Sequence, residues 1–221
     1  MKYKSLIFDF DYTLGDATEA IYAGFCHAFT TMGYPAPGLE AVRGTIGLIA
    51  VDGYSQLSGD RSEEGRHRFY QLFHSVAKRL QEEGHAKLFP GARELLTELK
   101  ARNASTAVVS SKVEESLRAV LSATGILPLF DQIIGGGTVG SHKPDPEGLE
   151  LAIRTLGVEK PAVLYCGDTV IDAQTAQNAG VDFCAVLNGT TPRDAFEGYP
   201  CVHIAPDLPE LKSWLIEEGL V

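Results

Sequence analysis

Short apolar runs rich in β-branched residues recur along this 221-residue chain, and helical patterns lie between them. Because such strands show no polar face, they predict a parallel sheet that helices cover on both sides. Ligands of these sheets bind beyond the carboxyl ends of the strands. We therefore expect an α/β fold. The predicted strands are residues 4–10, 105–110, 132–134, 162–166, 183–187 and 201–204, and the helices that alternate with them are residues 92–102, 113–124, 146–156, 171–179 and 208–217.

One long segment interrupts this alternation. Residues 16–87 contain no convincing strand, only helical patterns separated by Gly and Pro. This segment is far longer than a crossover between neighbouring strands needs. We therefore predict an inserted α-helical subdomain over residues 16–87 and a core formed by residues 1–15 and 88–221. The helices predicted within the insertion are residues 20–31, 39–46, 49–57 and 63–82.

The acidic balance of the chain limits its partners. The formal net charge is -10 and the pI is near 5.0, which argues against nucleic acid or an anionic membrane as the main partner. No apolar run approaches the roughly 18 residues of a membrane helix, and the first run is too short for a signal peptide. The four cysteines lack metal-site spacing and are expected to be free thiols. A cytoplasmic protein is the simplest expectation.

Two carboxylates, Asp9 and Asp11, directly follow the first predicted strand. Charged groups at the end of a buried strand are costly unless they are paired or bind a metal. One of them could serve as a nucleophile or metal ligand and the other as a general acid and base. A polar turn with an Asp that caps a helix is the alternative, and the pair alone does not decide between them.

Polar residues also follow three later strands. Ser110 and Ser111 precede a helix, where hydroxyls and backbone N–H groups could hold an anion or cap the helix. Lys143 precedes another helix, either at an anion site or on the solvated surface. Asp168 and Asp172 lie one helical turn apart, and capping explains one of them but not both. Like charges this close repel each other unless a cation lies between them.

These acids, with one lysine and no His or Cys cluster, favour a hard cation such as Mg²⁺. Mg²⁺ and Lys143 together could neutralise the acids and a phosphoryl group. Phosphoryl transfer requires little more than in-line positioning and neutralisation of charge. The combination therefore indicates chemistry on a phosphate ester.

The order of the motifs resembles the haloacid dehalogenase-like (HAD) hydrolase superfamily over essentially the whole chain. D-x-D-x-T matches residues 9–13, the hydroxyl of the second motif matches Ser110, the lysine ahead of a helix matches Lys143, and G-D-x-x-x-D matches residues 167–172. The resemblance implies a Rossmann-like parallel-sheet core. The inserted segment looks like the helical cap of the phosphoglycolate phosphatase and β-phosphoglucomutase branch.

The resemblance also implies roles in catalysis. Asp9 is the nucleophile that forms an aspartyl-phosphate, and Asp11 protonates the leaving alcohol and then activates water. Ser110 and Lys143 hold the phosphoryl oxygens, with Ser111 beside them, and Lys143 offsets the charge of Asp9. Ser111 stands where related phosphatases often have Asn.

A Mg²⁺ site follows from the same resemblance. Asp9 provides a carboxylate oxygen to the metal, and Asp11 provides its backbone carbonyl. Asp168 is a direct ligand, and Asp172 is either a ligand or a partner through a water molecule. Dehalogenases and phosphonatases lack the second acid, so Asp11 favours a phosphatase or a phosphomutase. Tyr12 stands where Gly is commonest in the family.

Within the insertion, residues 42–47 include Arg43 and Thr45, and Thr45 is flanked by glycines that allow a ligand to approach the backbone. In the resembling families the corresponding loop sets specificity, so Arg43 could meet a second anionic group of the substrate. An ordinary turn between helices is the alternative. Four histidines of the insertion are interpreted as helix-surface or half-buried residues, namely His27, His67, His74 and His85.

We therefore predict a Mg²⁺-dependent phosphatase that hydrolyses a small phosphorylated metabolite, with phosphoglycolate as the leading named substrate by resemblance. A phosphosugar mutase is the alternative enzyme, and a non-catalytic module that binds a phosphorylated ligand is a third possibility. No nucleic acid or membrane partner is expected, and the protein is expected to be a monomer or a homodimer.

Overall fold

Six parallel strands form the centre of the protein in the computed structural model, which describes residues 2–221. In chain order the strands are β1 (Ser5–Phe8), β2 (Gly15–Asp16), β3 (Lys87–Leu88), β4 (Ser105–Val113), β5 (Gln132–Gly136), β6 (Val163–Gly167), β7 (Asp182–Val186) and β8 (Cys201–Ala205). The large sheet has the order β5-β4-β1-β6-β7-β8. β1 lies at its centre and pairs with β4 and β6. The predicted α/β fold with a parallel sheet is confirmed.

The helices lie between the strands as the sequence pattern predicts. They are α1 (Thr18–Thr31), α2 (Leu39–Arg43), α3 (Ala50–Ser58), α4 (Glu63–Glu82), α5 (Ala92–Ala101), α6 (Glu114–Ala123), α7 (Glu147–Leu156), α8 (Val170–Ala179) and α9 (Leu208–Glu217). Most predicted boundaries agree to within two residues. The exceptions are α2, which ends at Arg43 because a turn follows, and β4, which continues to Val113 through a register shift against β5.

Alternating side chains of the strands pack on opposite faces of the sheet, which explains their unbroken apolar pattern. Leu6 and Phe8 of β1 face a core that includes Leu95 of α5. Ile7, between them in the chain, joins a second core on the other face with Leu149 of α7. All of β1 is buried.

α1 to α4 form one continuous insertion between β2 and β3. β2 and β3 are antiparallel, with Gly15 opposite Leu88, so the chain enters and leaves the insertion at adjacent points. A Cβ on Gly15 would lie 2.9 Å from the carbonyl oxygen of Lys87, and this close approach explains why glycine stands there. The sequence analysis predicted the junctions near these residues but did not predict this short ladder.

Aromatic side chains hold the helices of the insertion together. Phe25 of α1 contacts Phe69 of α4 with ring centroids 5.0 Å apart, and Tyr54 of α3 stacks on Phe69 at 4.7 Å. A Cβ on Gly24 would lie 2.8 Å from the Phe73 ring, so α1 and α4 pack closely. The insertion therefore has its own apolar interior, continuous with the core beneath the sheet. Across residues 2–221, no helix combines the length and the apolar character needed to cross a bilayer.

Candidate functional site

The carboxyl ends of β1, β4 and β6 bring together polar residues that are far apart in the sequence. Asp9 and Asp11 follow β1, Ser110 lies in the final part of β4, and Asp168 follows β6. The parallel register fixes this arrangement, because Phe8 is paired with Val108 on one side and with Cys166 on the other. Each of these four polar side chains is buried, although charged groups at such positions are costly unless compensated.

Lys143 is the positive charge at this edge of the sheet. Its Nζ lies 3.1 Å from Asp9 Oδ2 and donates to Asp172 Oδ1 at 2.7 Å, and its side chain is 5% exposed. Burial alone would lower the pKa of Lys143, but the charges of Asp172 and Asp9 outweigh it and hold this pKa above its ordinary value. Lys143 is therefore a fixed cation next to Asp9.

Asp172 is surrounded by hydrogen-bond donors. Its Oδ1 accepts from Lys143 and from the Tyr165 hydroxyl at 2.8 Å, and its Oδ2 accepts from the Thr169 hydroxyl at 2.6 Å and the Thr169 backbone N–H at 3.1 Å. Burial would raise the pKa of Asp172, but Lys143 and these donors hold it below its ordinary value. The carboxylate thus anchors Lys143 and caps α8 at the same time.

Asp168 is also buried, with 2% of the residue exposed. Its Oδ1 accepts a 3.2 Å hydrogen bond from the Thr13 hydroxyl. The loop after β7 passes close by, since a Cβ on Gly189 would lie only 2.2 Å from Asp168 Oδ2. Burial raises the pKa of Asp168 well above its ordinary value, and the nearby charges of Asp172 and Asp9 act in the same direction.

The acidic cluster fits a hard divalent cation. Asp9, Asp168 and Asp172 each offer an oxygen, and these oxygens lie within 4.8 Å of one another. Lys143 neutralises only one of the three charges, and Asp9 Oδ1 is buried without a hydrogen-bond partner. Burial raises the pKa of Asp9 to about 6 against the opposing charge of Lys143. A donor set made only of oxygens suits Mg²⁺. Among these three acids, Asp172 differs because both of its carboxylate oxygens already accept hydrogen bonds from protein groups.

Asp11 has a partner that the sequence analysis did not identify. Lys112 Nζ lies 3.1 Å from Asp11 Oδ2, and both side chains are largely buried. The other oxygen, Asp11 Oδ1, is buried without a hydrogen-bond partner. Ser110 Oγ accepts a 3.3 Å hydrogen bond from the Lys112 backbone N–H. The ion pair with Asp11 thus places a second cation at the site, near the end of β4. The sequence signal that could have identified Lys112 is its position directly after Ser110 and Ser111.

The two site residues that the sequence analysis predicted within the insertion, Arg43 and Thr45, lie in different environments. Thr45 lines the cavity next to Asp9, but its hydroxyl donates to the Val42 carbonyl at 2.7 Å. Arg43 donates to the Tyr12 hydroxyl at 3.2 Å and pairs with Glu40, and it does not line that cavity. The structure therefore brings Thr45, but not Arg43, to the site.

Two further contacts join the insertion to the sheet edge. The predicted Ser111 donates from its hydroxyl to the Gly47 carbonyl at 2.9 Å. A Cβ on Gly47 would lie 3.2 Å from the Thr169 side chain. The turn after α2 is thus closed onto the core. Tyr12 has a φ of 60°, a conformation that glycine adopts readily, which accounts for the glycine common at this motif position.

A cavity of about 350 Å³ lies between the insertion and the edge of the sheet. Asp9, Asp11 and Ser110 form part of its wall, and the remaining wall comes mainly from α1, α4 and the residues around α2 and α3. These three polar residues therefore face a pocket large enough for a small organic ligand.

Comparisons with known proteins agree with this geometry. The family model described as haloacid dehalogenase-like hydrolase matches residues 6–186. A Rhodobacter capsulatus protein named phosphoglycolate phosphatase is 31% identical over 216 residues, which cover 95% of this chain and 97% of that one. A Halalkalibacterium halodurans protein named pyrophosphatase PpaX is 28% identical over 212 residues, 96% of each chain.

A solved structure shows the same fold. A Bacteroides fragilis protein described as a haloacid dehalogenase-like hydrolase superposes with a TM-score of 0.91 and 35% identity, over 95% of this chain and 100% of that one. The similarity extends through both the sheet and the inserted helices, since it covers nearly all of both chains.

Proposed function

The chain belongs to the haloacid dehalogenase-like hydrolase family and is a phosphatase of that family, and we propose that it is a Mg²⁺-dependent phosphomonoesterase that works through an aspartyl-phosphate. The observation that carries the proposal is the environment of Asp9. One of its oxygens lies 3.1 Å from Lys143, the other has no hydrogen-bond partner, and the side chain lines the cavity. A buried carboxylate in this setting is suited to act as a nucleophile.

In the proposed reaction, an oxygen of Asp9 attacks the phosphorus and the bond from phosphorus to the alcohol oxygen breaks. Asp11 donates its proton to that oxygen. Water then attacks the phosphorus of the aspartyl-phosphate while Asp11 accepts a proton from it, and the bond to Asp9 breaks to release inorganic phosphate. Lys143 stabilises the negative charge of the phosphoryl oxygens throughout, together with Ser110.

We propose that Asp9, Asp168 and the Asp11 backbone carbonyl hold the Mg²⁺. Because Asp172 already accepts four hydrogen bonds, it fits a role as the anchor of Lys143, or as a partner of the metal through water, better than that of a direct ligand. When bound, the cation neutralises charge on the transferring phosphoryl group.

Lys112 would complete the anion site, and Ser111 would support it from the side. Lys112 lies in the cavity wall beside Ser110, and its pairing with Asp11 places its positive charge next to the proposed phosphoryl position. Ser111 is adjacent, but its hydroxyl already donates to Gly47. We expect Ser111 to act chiefly by holding the turn after α2 against the core.

We also propose that residues 16–87 act as a cap over a core of residues 1–15 and 88–221. The antiparallel pair of β2 and β3 would be the connection about which it moves, and the contact from Ser111 to Gly47 would mark its closed position. A closed cap excludes bulk water from the aspartyl-phosphate and positions the substrate. The substrate is proposed to be a small phosphorylated metabolite, and the names of relatives make phosphoglycolate one compound to test.

The test measures phosphate release from a panel of small phosphomonoesters, with Mg²⁺ and with EDTA. We expect release by the wild-type protein with Mg²⁺, loss of release in EDTA, and loss in Asp9→Asn. The matched control is Asp194→Asn, which makes the same substitution at an exposed aspartate that does not line the cavity and should leave the rate unchanged. Conversion of a sugar phosphate to its isomer without released phosphate would instead indicate a mutase. No turnover of any compound would overturn the proposal.

A further inference from the structure

Two buried polar atoms on α4 have no hydrogen-bond partner, and the proposed reaction uses neither of them. They are His74 Nε2 and Gln81 Oε1. Gln81 is 1% exposed, and the two residues lie seven positions apart, about two turns, on the same face of α4. Both line the cavity that also contains Asp9 and Asp11. Buried polar atoms in native proteins are nearly always paired, so a pair of unpaired ones in a cavity wall points to a ligand that supplies the partners.

The rest of this wall is apolar and partly aromatic. α1 contributes Ile21 and Phe25, and α4 contributes Tyr70, Phe73 and Ala77. The His74 ring is held in place by stacking on Tyr70, with centroids 5.3 Å apart. A ligand in contact with these side chains gains most by burying carbon atoms.

The same wall has no side chain of fixed charge. Among the described lining residues from α1, α4 and positions 45–51, none is Lys, Arg, Asp or Glu. Arg43, which the sequence analysis assigned to a second anionic group, is held outside the cavity by Tyr12 and Glu40. Lys112 lines the cavity but lies at the end of β4 and is paired with Asp11. A second carboxylate or phosphate on the substrate would therefore be desolvated against this wall without a side chain of fixed positive charge to offset it.

We propose that the substrate is the phosphate monoester of an uncharged, largely apolar alcohol that carries a further hydroxyl or amide group, and that Gln81 and His74 bind this group. The inference rests on the proposed function, because it takes the phosphate to lie at Asp9. A hydroxyl or amide can both donate and accept, so it satisfies either orientation of the Gln81 side chain and either tautomer of His74. Phosphoglycolate, whose only other group is a carboxylate, fits this wall poorly.

Three esters separate the contributions of size, polarity and charge. They are ω-hydroxyhexyl phosphate, hexyl phosphate and phosphoglycolate. With Mg²⁺, we expect kcat/KM of the wild-type protein to be highest for ω-hydroxyhexyl phosphate and at least tenfold lower for phosphoglycolate. A preference for phosphoglycolate would overturn this inference and leave the proposed phosphatase intact. Failure to release phosphate from all three, and from the wider panel, would overturn the proposed function itself.

Gln81→Leu tests the residue assignment. Loss of the amide should lower kcat/KM for ω-hydroxyhexyl phosphate about tenfold and leave that for hexyl phosphate unchanged or higher, because only the former has a group to bind. The matched control is Gln71→Leu, the same substitution on the exposed face of α4. Equal effects of Gln81→Leu on both alkyl esters would contradict the assignment.

A binding measurement gives a readout that does not depend on turnover. By calorimetry, Asp9→Asn without added metal should bind ω-hydroxyhexyl phosphate more tightly than phosphoglycolate, and adding Gln81→Leu should reduce the difference about tenfold. Without any ligand, Gln81→Leu should melt at the same temperature as the wild type or higher, because a buried unpaired polar group is removed. A lower melting temperature together with unchanged ester discrimination would show that Gln81 is structural and overturn its role.

Discussion

Asp172 Oδ1 and Lys143 Nζ are 2.7 Å apart, and the same Nζ lies 3.1 Å from Asp9 Oδ2. Asp172 is itself held by Tyr165 and Thr169, so a chain of hydrogen bonds and ion pairs runs from the first turn of α8 to the proposed nucleophile. Asp9, Tyr165 and Asp172 are buried, and polar interactions in such an environment are strong and costly to lose. The position of Lys143 therefore depends on residues that need not touch a substrate.

Asp172→Asn should lower kcat about 10²-fold, because Lys143 loses a charged anchor while Asp9 remains intact. The measurement is phosphate release under saturating Mg²⁺, with circular dichroism to verify folding. Asp182→Asn removes a surface partner of Lys2 and serves as the control, with an expected change of less than twofold. Full activity in Asp172→Asn would show that Lys143 needs no anchor.

Lys112→Met should reduce kcat/KM about 10²-fold. The substitution leaves Asp11 without its charged partner and removes a cation from the cavity wall. Lys160→Met is the matched control, since Lys160 pairs with Glu150, neither residue lines that cavity, and the variant should have little effect on rate. Steady-state kinetics on the best ester distinguishes the two, and equal rates for both variants would remove Lys112 from the site.

Gly47→Ala should weaken closure of the inserted helices. Gly47 has a φ of 108° and an added Cβ would lie 3.2 Å from Thr169, so the substitution strains the backbone and pushes the turn away from the core. We expect a KM about tenfold higher. Gly59→Ala has a similar positive φ of 78° but no atom within 4 Å of the added Cβ, and thus reports the backbone strain alone. If both variants behave alike, contact with Thr169 is unimportant.

Gly189→Ala should raise the Mg²⁺ concentration needed for half-maximal activity about tenfold. Its Cβ would lie 2.2 Å from Asp168 Oδ2, so the carboxylate or the loop after β7 must move. Gly198→Ala, with nothing within 4 Å, is the control. A Mg²⁺ titration of activity gives the comparison. An unchanged titration in Gly189→Ala would argue that Asp168 is not a metal ligand.

Asp131→Asn should change the acid dependence of stability. Burial would raise the pKa of Asp131, but hydrogen bonds from Lys100 at 2.6 Å and from the Thr106 N–H at 2.8 Å hold it below the ordinary value. A lowered folded-state pKa contributes stability above the unfolded pKa of about 3.9, and this contribution disappears as the pH falls through the folded pKa.

The free energy of unfolding of Asp131→Asn should therefore be about 1 kcal/mol lower than that of the wild type near neutral pH, a value that allows for the partial exposure of the pair. The difference should shrink toward zero below about pH 4. Urea unfolding at several pH values measures it. Asp194→Asn should show no pH-dependent difference, and a constant offset for Asp131→Asn would contradict the ionic origin.

The pattern of residue types along the sequence was sufficient to predict the fold class and the grouping of several site residues. Continuous apolar strands required burial on both faces, which predicted the parallel sheet. Residues 16–87 showed only helical patterns and were too long for a crossover, which predicted an inserted subdomain. Because parallel strands end at one edge, the sequence also predicted that Asp9, Ser110 and Asp168 would lie near one another. Their roles in catalysis and metal binding stay predictions.

Only the tertiary structure decided which partners these groups have. Tyr165 looks like any apolar residue of a buried strand, yet its hydroxyl holds Asp172. Arg43 had the right charge for a substrate site but is directed to Tyr12, and His74 and Gln81 had no sequence signal distinguishing them from other residues of α4. Periodicity determines which face of an element is buried, whereas pairing depends on distances of a few ångströms between elements far apart in the chain. Those distances arise only when the helices and the sheet pack together.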